Sequence, residues 1–161
     1  RLMFEANVHA PLDLAQAAIP SMLELGDGWI VNISSRTACH WDGPPFVLGV
    51  TGTTTAAYGA SKAALDRISN GLAAEHYDAG IRVNALAPRA AVMSEGADAL
   101  VGDRISDEKI ESLEHMVEAV VALCCCDRDV TGRTTISHDV LAEFGLSVRS
   151  LDGSSPGGSP T

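Results

Sequence analysis

A chain of 161 residues with a formal net charge of -10 at neutral pH is long enough for one domain with a hydrophobic core and too short for two full ones. Its 11 Lys and Arg are scattered and outnumbered by 21 Asp and Glu, which argues against the clustered basic surface that nucleic acid or an anionic membrane requires. The apolar runs are broken by charge well before the roughly 18 residues of a membrane span, and no basic-plus-apolar leader opens the chain, so a soluble, cytoplasmic protein is expected.

From Arg1 to about Leu25, apolar residues recur at helical spacing as Phe4, Val8, Leu12, Ala15, Ile19 and Leu23. An amphipathic helix is predicted there, stopped by Gly26-Asp27-Gly28. Helical spacing from the first turn, with Arg at residue 1, leads us to expect a chain that starts inside a fold. WIVNISS, from Trp29 to Ser35, is a short β-branched run after a turn and reads as a buried strand. Arg36 to Ala57 is rich in Gly, Pro and Thr and reads as loop. A second helix is expected from about Tyr58 to Ala79, with Leu65, Ile68 and Leu72 on one face and a stop at Gly80.

IRVNALAP, from Ile81 to Pro88, is the second expected strand, closed by its proline. Residues 89–106 show no clean period. Ser106 is the expected N-cap of a third helix from Asp107 to about Cys126, with Ile110, Leu113, Val117, Val120 and Val121 on its inner side. Consecutive Cys124, Cys125 and Cys126 on that helix would fan out at about 100° steps, so they are expected to pack as small apolar groups and not to converge on a metal. RTTISH, after Thr131-Gly132, is the expected last strand. The apolar pattern fades after Phe144, and residues 146–161 are expected to form a flexible Gly/Ser/Pro-rich tail.

Helix and strand therefore alternate along the chain, the pattern of right-handed βαβ crossovers. The expected fold class is α/β, a Rossmann-like parallel sheet of about three strands with flanking helices. A doubly wound sheet normally has about twice that number, so these strands amount to its second half.

Tyr58 and Lys62 stand at i and i+4, on one helix face and about 6 Å apart along the axis. An ammonium held near a phenol favours the phenolate, the condition for a general acid/base. Tyr58-Gly59-Ala60-Ser61-Lys62 resembles the Tyr-x-Ala-Ser-Lys motif of the short-chain dehydrogenase/reductase family, NAD(P)-dependent oxidoreductases on a Rossmann fold. Other segments resemble family motifs in family order: ANVHAP near the start, NISS after the first strand, and VNALAP, where the Asn-x-x-x-Pro pattern falls on Asn84 and Pro88. The resemblance runs from residue 1 to about residue 140, and it implies that residues 1–145 are the C-terminal part of such a domain.

The resemblance also implies roles. Tyr58 would donate or accept the substrate proton, Ser35 would hydrogen-bond the carbonyl or hydroxyl oxygen, and Lys62 would tune Tyr58 and hold the nicotinamide ribose. Asn7 would anchor, through its backbone carbonyl, a water that reaches the lysine. Pro11, four residues on, has no N–H, so that carbonyl loses its helical partner; a kink that only fits the helix to its neighbour is the alternative. Cofactor contacts are implied at Tyr58, Lys62, Pro88, Ala91 and Val92, with NAD or NADP as cofactor, a small-molecule carbonyl or alcohol as substrate, and a homodimer or homotetramer when full length. No metal spacing is present among the five histidines.

Three departures from the family pattern stand out. Tyr58 follows Ser35 by 23 positions, about twice the common family spacing, so an insertion lies between Cys39 and Thr55. Its Trp41, Phe46 and Val47 are candidates to line a substrate pocket, and the insertion is expected to act as a lid or specificity loop. Arg89 follows Pro88 where the family usually has glycine. The Gly-x-x-x-Gly-x-Gly turn and the Asn-Asn-Ala-Gly segment that serve the adenosine end of the cofactor are absent. Two expectations result, an oxidoreductase, or a truncated, inactive fragment acting at most as an association surface.

Overall fold

The structure, a computed structural model, describes residues 1–46, 55–92 and 110–154. The first helical run consists of α1 (Leu2–Phe4), a π-helical turn (Glu5–His9) and α2 (Ala10–Leu25). Pro11 accounts for the change of register. It offers no N–H to the α-ladder, and the backbone widens to an i to i+5 bond in which the Ala10 N–H donates to the Glu5 carbonyl. Gly26 then ends α2 in the left-handed conformation at φ 68°.

Next come β1 (Gly28–Ile33), a 3-10 turn (Arg36–Ala38), α3 (Thr55–His76), β2 (Ile81–Ala87), β3 (Ala91–Val92) and β4 (Ile110–Glu111). α4 (Leu113–Leu123), β5 (Thr134–Ile136) and α5 (Ser137–Glu143) complete the described elements. β1, β2 and β5 form a parallel sheet in that order, with β2 central, and β3 pairs with β4 in a second, short parallel ladder.

β2 is buried along its whole length, as a strand covered on both faces must be. On one side, Ala15 and Ile19 of α2 and Leu72 and Ala73 of α3 pack on Ile81 and Val83. On the other, Met116, Ala119 and Leu123 of α4 and Val140 and Leu141 of α5 pack with Leu86. Side chains as buried as Leu86 and Leu123 contribute about 1.5–3 kcal/mol each. The result is the α/β, Rossmann-like parallel sheet that the alternation implied.

Polar groups on β2 tie the strands together. The Asn84 amide, 1 % exposed, donates to the Val130 carbonyl at 2.8 Å and accepts the Arg133 N–H at 3.2 Å. Buried Arg82 bonds Asp27 and the carbonyls of Gly80 and Cys126, and its guanidinium stacks 4.1 Å from the Trp29 ring.

The third helix differs from the expected one. It spans Leu113–Leu123 with Ser112 as N-cap residue, and Ile110 belongs to β4; the expected cap, Ser106, lies outside the described residues. Leu113, Val117 and Val121 are exposed, while Met116, Ala119, Ala122 and Leu123 are buried. The two stripes are equally periodic, so tertiary packing decided between them. The helix ends before the cysteines: Cys126 joins the core, and Cys124 and Cys125 are exposed. Ser137, expected in the last strand, instead opens α5.

Beyond α5, Val148 packs on the α4–α5 core. Arg149 then grips Glu118 with Nε at 2.7 Å, Nη2 at 3.0 Å and its backbone N–H at 3.3 Å. The Arg149 bonds hold the Glu118 carboxyl below the usual glutamate range. A carboxyl whose folded value is depressed adds stability that is present above its unfolded value and lost as pH falls through the folded one. Acid unfolding of the chain is therefore expected to lose a component below the ordinary glutamate range, and Arg149→Ala to abolish it, as read by urea midpoints at a series of pH values.

Candidate active site

Lys62 occupies the sheet-facing side of α3 and is 9 % exposed. Its Nζ donates to the Ile33 carbonyl at the end of β1, at 2.7 Å, and stands 5.8 Å from the centroid of the Tyr58 ring. Burial lowers the Lys62 pKa, and the nearby Asp66 carboxylate opposes that shift. One carbonyl acceptor leaves two of the three ammonium hydrogens for other partners.

Ser35 lies two residues beyond that carbonyl and caps the 3-10 turn. Its hydroxyl accepts from the Thr37 N–H at 3.2 Å and from the Thr37 hydroxyl at 2.9 Å. Both are bonds it accepts, so its own proton is left to donate. Ser34 is buried at 3 % exposure while Ser35 is half-buried, as the alternation of an extended chain requires.

Asn7 reaches α3 from the π-helical turn. Its Nδ2 donates to the Ser61 hydroxyl at 3.1 Å, and Ser61 donates to the Tyr58 carbonyl at 2.7 Å. Ser61 is thus a buried link between Asn7 and the backbone of Tyr58. The site joins the π-helical turn, β1 and α3 through Asn7, Ser61, Tyr58 and Lys62. Pro88 leaves the end of β2, and Ala91 and Val92 form β3. This loop is drawn toward the serine by Arg36, whose Nη1 donates to the Arg89 carbonyl at 3.2 Å.

Sequence reasoning missed three residues here. Ser61 had a visible signal in its place between Tyr58 and Lys62, but its partner Asn7 is 54 positions away. Asp66, one turn after Lys62, has its pKa raised by burial, against the pull of Ser34 and Lys62. The Ser34 hydroxyl and Asp66 Oδ1 are nevertheless both buried without a hydrogen bond of normal geometry among the described residues. Glu111 is the third, a buried carboxylate that accepts from the Arg89 N–H at 2.6 Å.

The described part of the insertion does not stand over Tyr58. Trp41 and Phe46 line a hollow of about 400 Å³ with Ala56, Gly59, Ala60 and Ala63. Those α3 positions lie roughly 100–200° around the helix from Tyr58. Residues 39–46 therefore cover the back of the helix; Val47 and the rest of the insertion up to residue 54 lie outside the described residues. Close approach there requires Gly59, where an added Cβ would collide with the Thr37 carbonyl oxygen. Gly59→Ala is expected to destabilise the chain by about 1–3 kcal/mol from overpacking, against the gain of up to about 1 kcal/mol that helix propensity alone gives. Urea denaturation decides the sign.

The family model described as short chain dehydrogenase matches residues 1–100, and the chain belongs to that family. It is 39% identical over 90 residues to a 2-keto-3-deoxy-L-fuconate dehydrogenase of Xanthomonas campestris, a match covering 55% of this chain and 26% of that protein. It is 35% identical over 86 residues to an uncharacterised oxidoreductase of Staphylococcus aureus, covering 53% of this chain and 33% of that protein. A solved structure of a putative NAD(P)-dependent gluconate 5-dehydrogenase from Beutenbergia cavernae, with bound NADP at low occupancy, superposes with a TM-score of 0.66 at 29% identity. That match covers 83% of this chain and 53% of the other. The chain thus spans about half the length of the solved relative, and its matches cover a third or less of the two curated ones.

Proposed function

We propose that this chain carries the catalytic and nicotinamide-facing part of an NAD(P)-dependent oxidoreductase that acts on a small-molecule carbonyl or secondary alcohol. The observation that carries the reading is the bonded chain from Asn7 through Ser61 to the Tyr58 backbone, set beside a lysine tethered to Ile33. Such tethering fixes the acid/base face of α3 before any ligand arrives.

The residues present fit the nicotinamide end of the cofactor. Two unassigned ammonium hydrogens on Lys62 suit ribose hydroxyls, and the Arg36 bond to the Arg89 carbonyl joins the turn after Ser35 to the loop that holds Pro88 and leads to Ala91 and Val92. When bound, the nicotinamide supplies or accepts the hydride. Tyr58 gives its phenolic proton to the substrate oxygen in reduction and takes it back in oxidation. Ser35 donates its free proton to the same oxygen. Lys62 stabilises the negative charge that develops on the phenol oxygen, and Asn7 anchors the path by which that proton is replaced from solvent. Residues 1–145 would form this part of the domain and 146–161 a tail whose first residues dock on it through Val148 and Arg149.

The test is an assay of the longest product of the gene for oxidation of NADH and NADPH over a panel of ketones, aldehydes and sugar acids. Turnover with at least one pair supports the reading. Inertness across the panel supports the second reading, an association surface without catalysis. Soluble cytoplasmic residence and a homodimer or homotetramer of the full-length protein accompany the first reading.

A further inference from the structure

We infer that Glu111 is a positioning residue that sets the shape of the loop between β2 and β3, and through it the affinity for the nicotinamide end of the cofactor. The second half of that statement rests on the proposed function; the first stands on geometry.

Glu111 is 6 % exposed, and a carboxylate that buried persists only when its oxygens are hydrogen-bonded. Oε2 accepts the backbone N–H of Arg89 at 2.6 Å and, more loosely, that of Ala90 at 3.4 Å. Oε1 accepts the hydroxyl of Ser137, the first residue of α5. The carboxylate therefore directs its charge at consecutive backbone amides immediately after Pro88, where the chain leaves the sheet. On its other side the Arg89 peptide is held at its carbonyl by Arg36. Pairing of Ala91 with Ile110 and of Val92 with Glu111 then fixes the register of β3 against β4.

The pinned amides lie between Pro88 and Ala91, so the proposed cofactor positions sit on both sides of the clamp. Charge is what the clamp uses, since hydrogen bonds to an ionised acceptor are about twice as strong as neutral ones. Glutamine keeps the shape but replaces one acceptor oxygen with a donor NH₂, which must face either the loop amides or the Ser137 hydroxyl. Arg89 stands where the family usually has glycine, so the clamp holds a residue with a side chain in a turn that is elsewhere unencumbered.

The test compares the wild-type chain with Glu111→Gln and, as a milder change on the far oxygen, Ser137→Ala. Amide hydrogen exchange at Arg89 and Ala90 is read by NMR, followed by titration with NADPH and with reduced nicotinamide mononucleotide. Glu111→Gln is expected to speed exchange at both amides at least tenfold and to weaken the probe that binds at least tenfold, with Ser137→Ala in the same direction and smaller. Unchanged exchange in a folded Glu111→Gln chain, or in Ser137→Ala if the first variant does not fold, overturns the clamp. Faster exchange with unchanged probe affinity overturns its role in cofactor binding. If the wild-type chain binds neither probe, the titration is made on the longest product of the gene, and exchange decides the clamp in this chain.

Discussion

Tyr58→Phe is expected to lower NAD(P)H-linked carbonyl reduction by about 10²–10⁴-fold, the usual contribution of a positioned general acid. Phenylalanine keeps the ring near the Lys62 ammonium and removes only the proton donor. The loss should therefore fall on turnover, while cofactor affinity and the urea midpoint stay within error. Lys62→Met is expected to reduce both turnover and cofactor affinity, because it removes the charge beside the phenol and the donors assigned to the ribose. It also leaves the Ile33 carbonyl without its 2.7 Å partner, so a drop in stability should accompany it. A Tyr58→Phe protein with undiminished turnover would remove the tyrosine from the chemistry.

Asn84→Leu is expected to produce the larger structural effect. The side chain is nearly isosteric with asparagine at its branch point, but it leaves the Val130 carbonyl only the weak Cys126 thiol donor at 3.4 Å and deprives the Arg133 N–H of its acceptor. Each buried group left unpaired costs about 1–3 kcal/mol, so the sum is about 2–6 kcal/mol, a large part of a typical domain's stability. Asn84→Asp separates the two bonds, since a carboxylate still accepts from Arg133 but cannot donate to Val130. Chemical denaturation of both variants should place Asp between wild type and Leu. Equal stability of all three would mean that the Asn84 side chain adds nothing to the bonds that Val83 and Ala85 already make with Thr131, Gly132 and Arg133.

Asn84 also shows how far the sequence could be read. Its place in VNALAP pointed to a family motif, but the motif gave no reason for the residue; the reason is two bonds to a segment nearly 50 positions later. β2 was legible because a mostly apolar run between Gly80 and Pro88 has the length and the boundaries of a buried strand. The Tyr58–Lys62 face was legible because helical spacing is local, and the break at Pro11 because a missing N–H is a local fact as well. The inner face of α4 was not. Leu113, Val117 and Val121 repeat as regularly as the buried Met116, Ala119 and Leu123, and only the neighbouring sheet selects between the stripes. Glu111 was hidden for the same reason: nothing near it in the chain marks a carboxylate whose partners are 21, 22 and 26 positions away.

The insertion after Ser35 is only partly described, residues 47–54 lying outside the described residues. Closeness in sequence to the serine suggested a lid over the substrate. In the fold, Thr37 seats against Gly59 and carries Trp41 and Phe46 around the back of α3. A tight backbone contact, invisible in composition, decides which side of the helix residues 39–46 cover.

The central claim is that the face of α3 bearing Tyr58 and Lys62, with Ser35 and the loop after Pro88, receives a reduced nicotinamide. Titration of the isotope-labelled chain with NADPH, NADH and reduced nicotinamide mononucleotide, followed by backbone amide shifts, tests it most directly. Saturable shifts concentrated at Ser35, Tyr58, Lys62, Ala91 and Val92 are the predicted result. Absence of shifts there with all three probes, or shifts confined to the hollow behind α3, would contradict it.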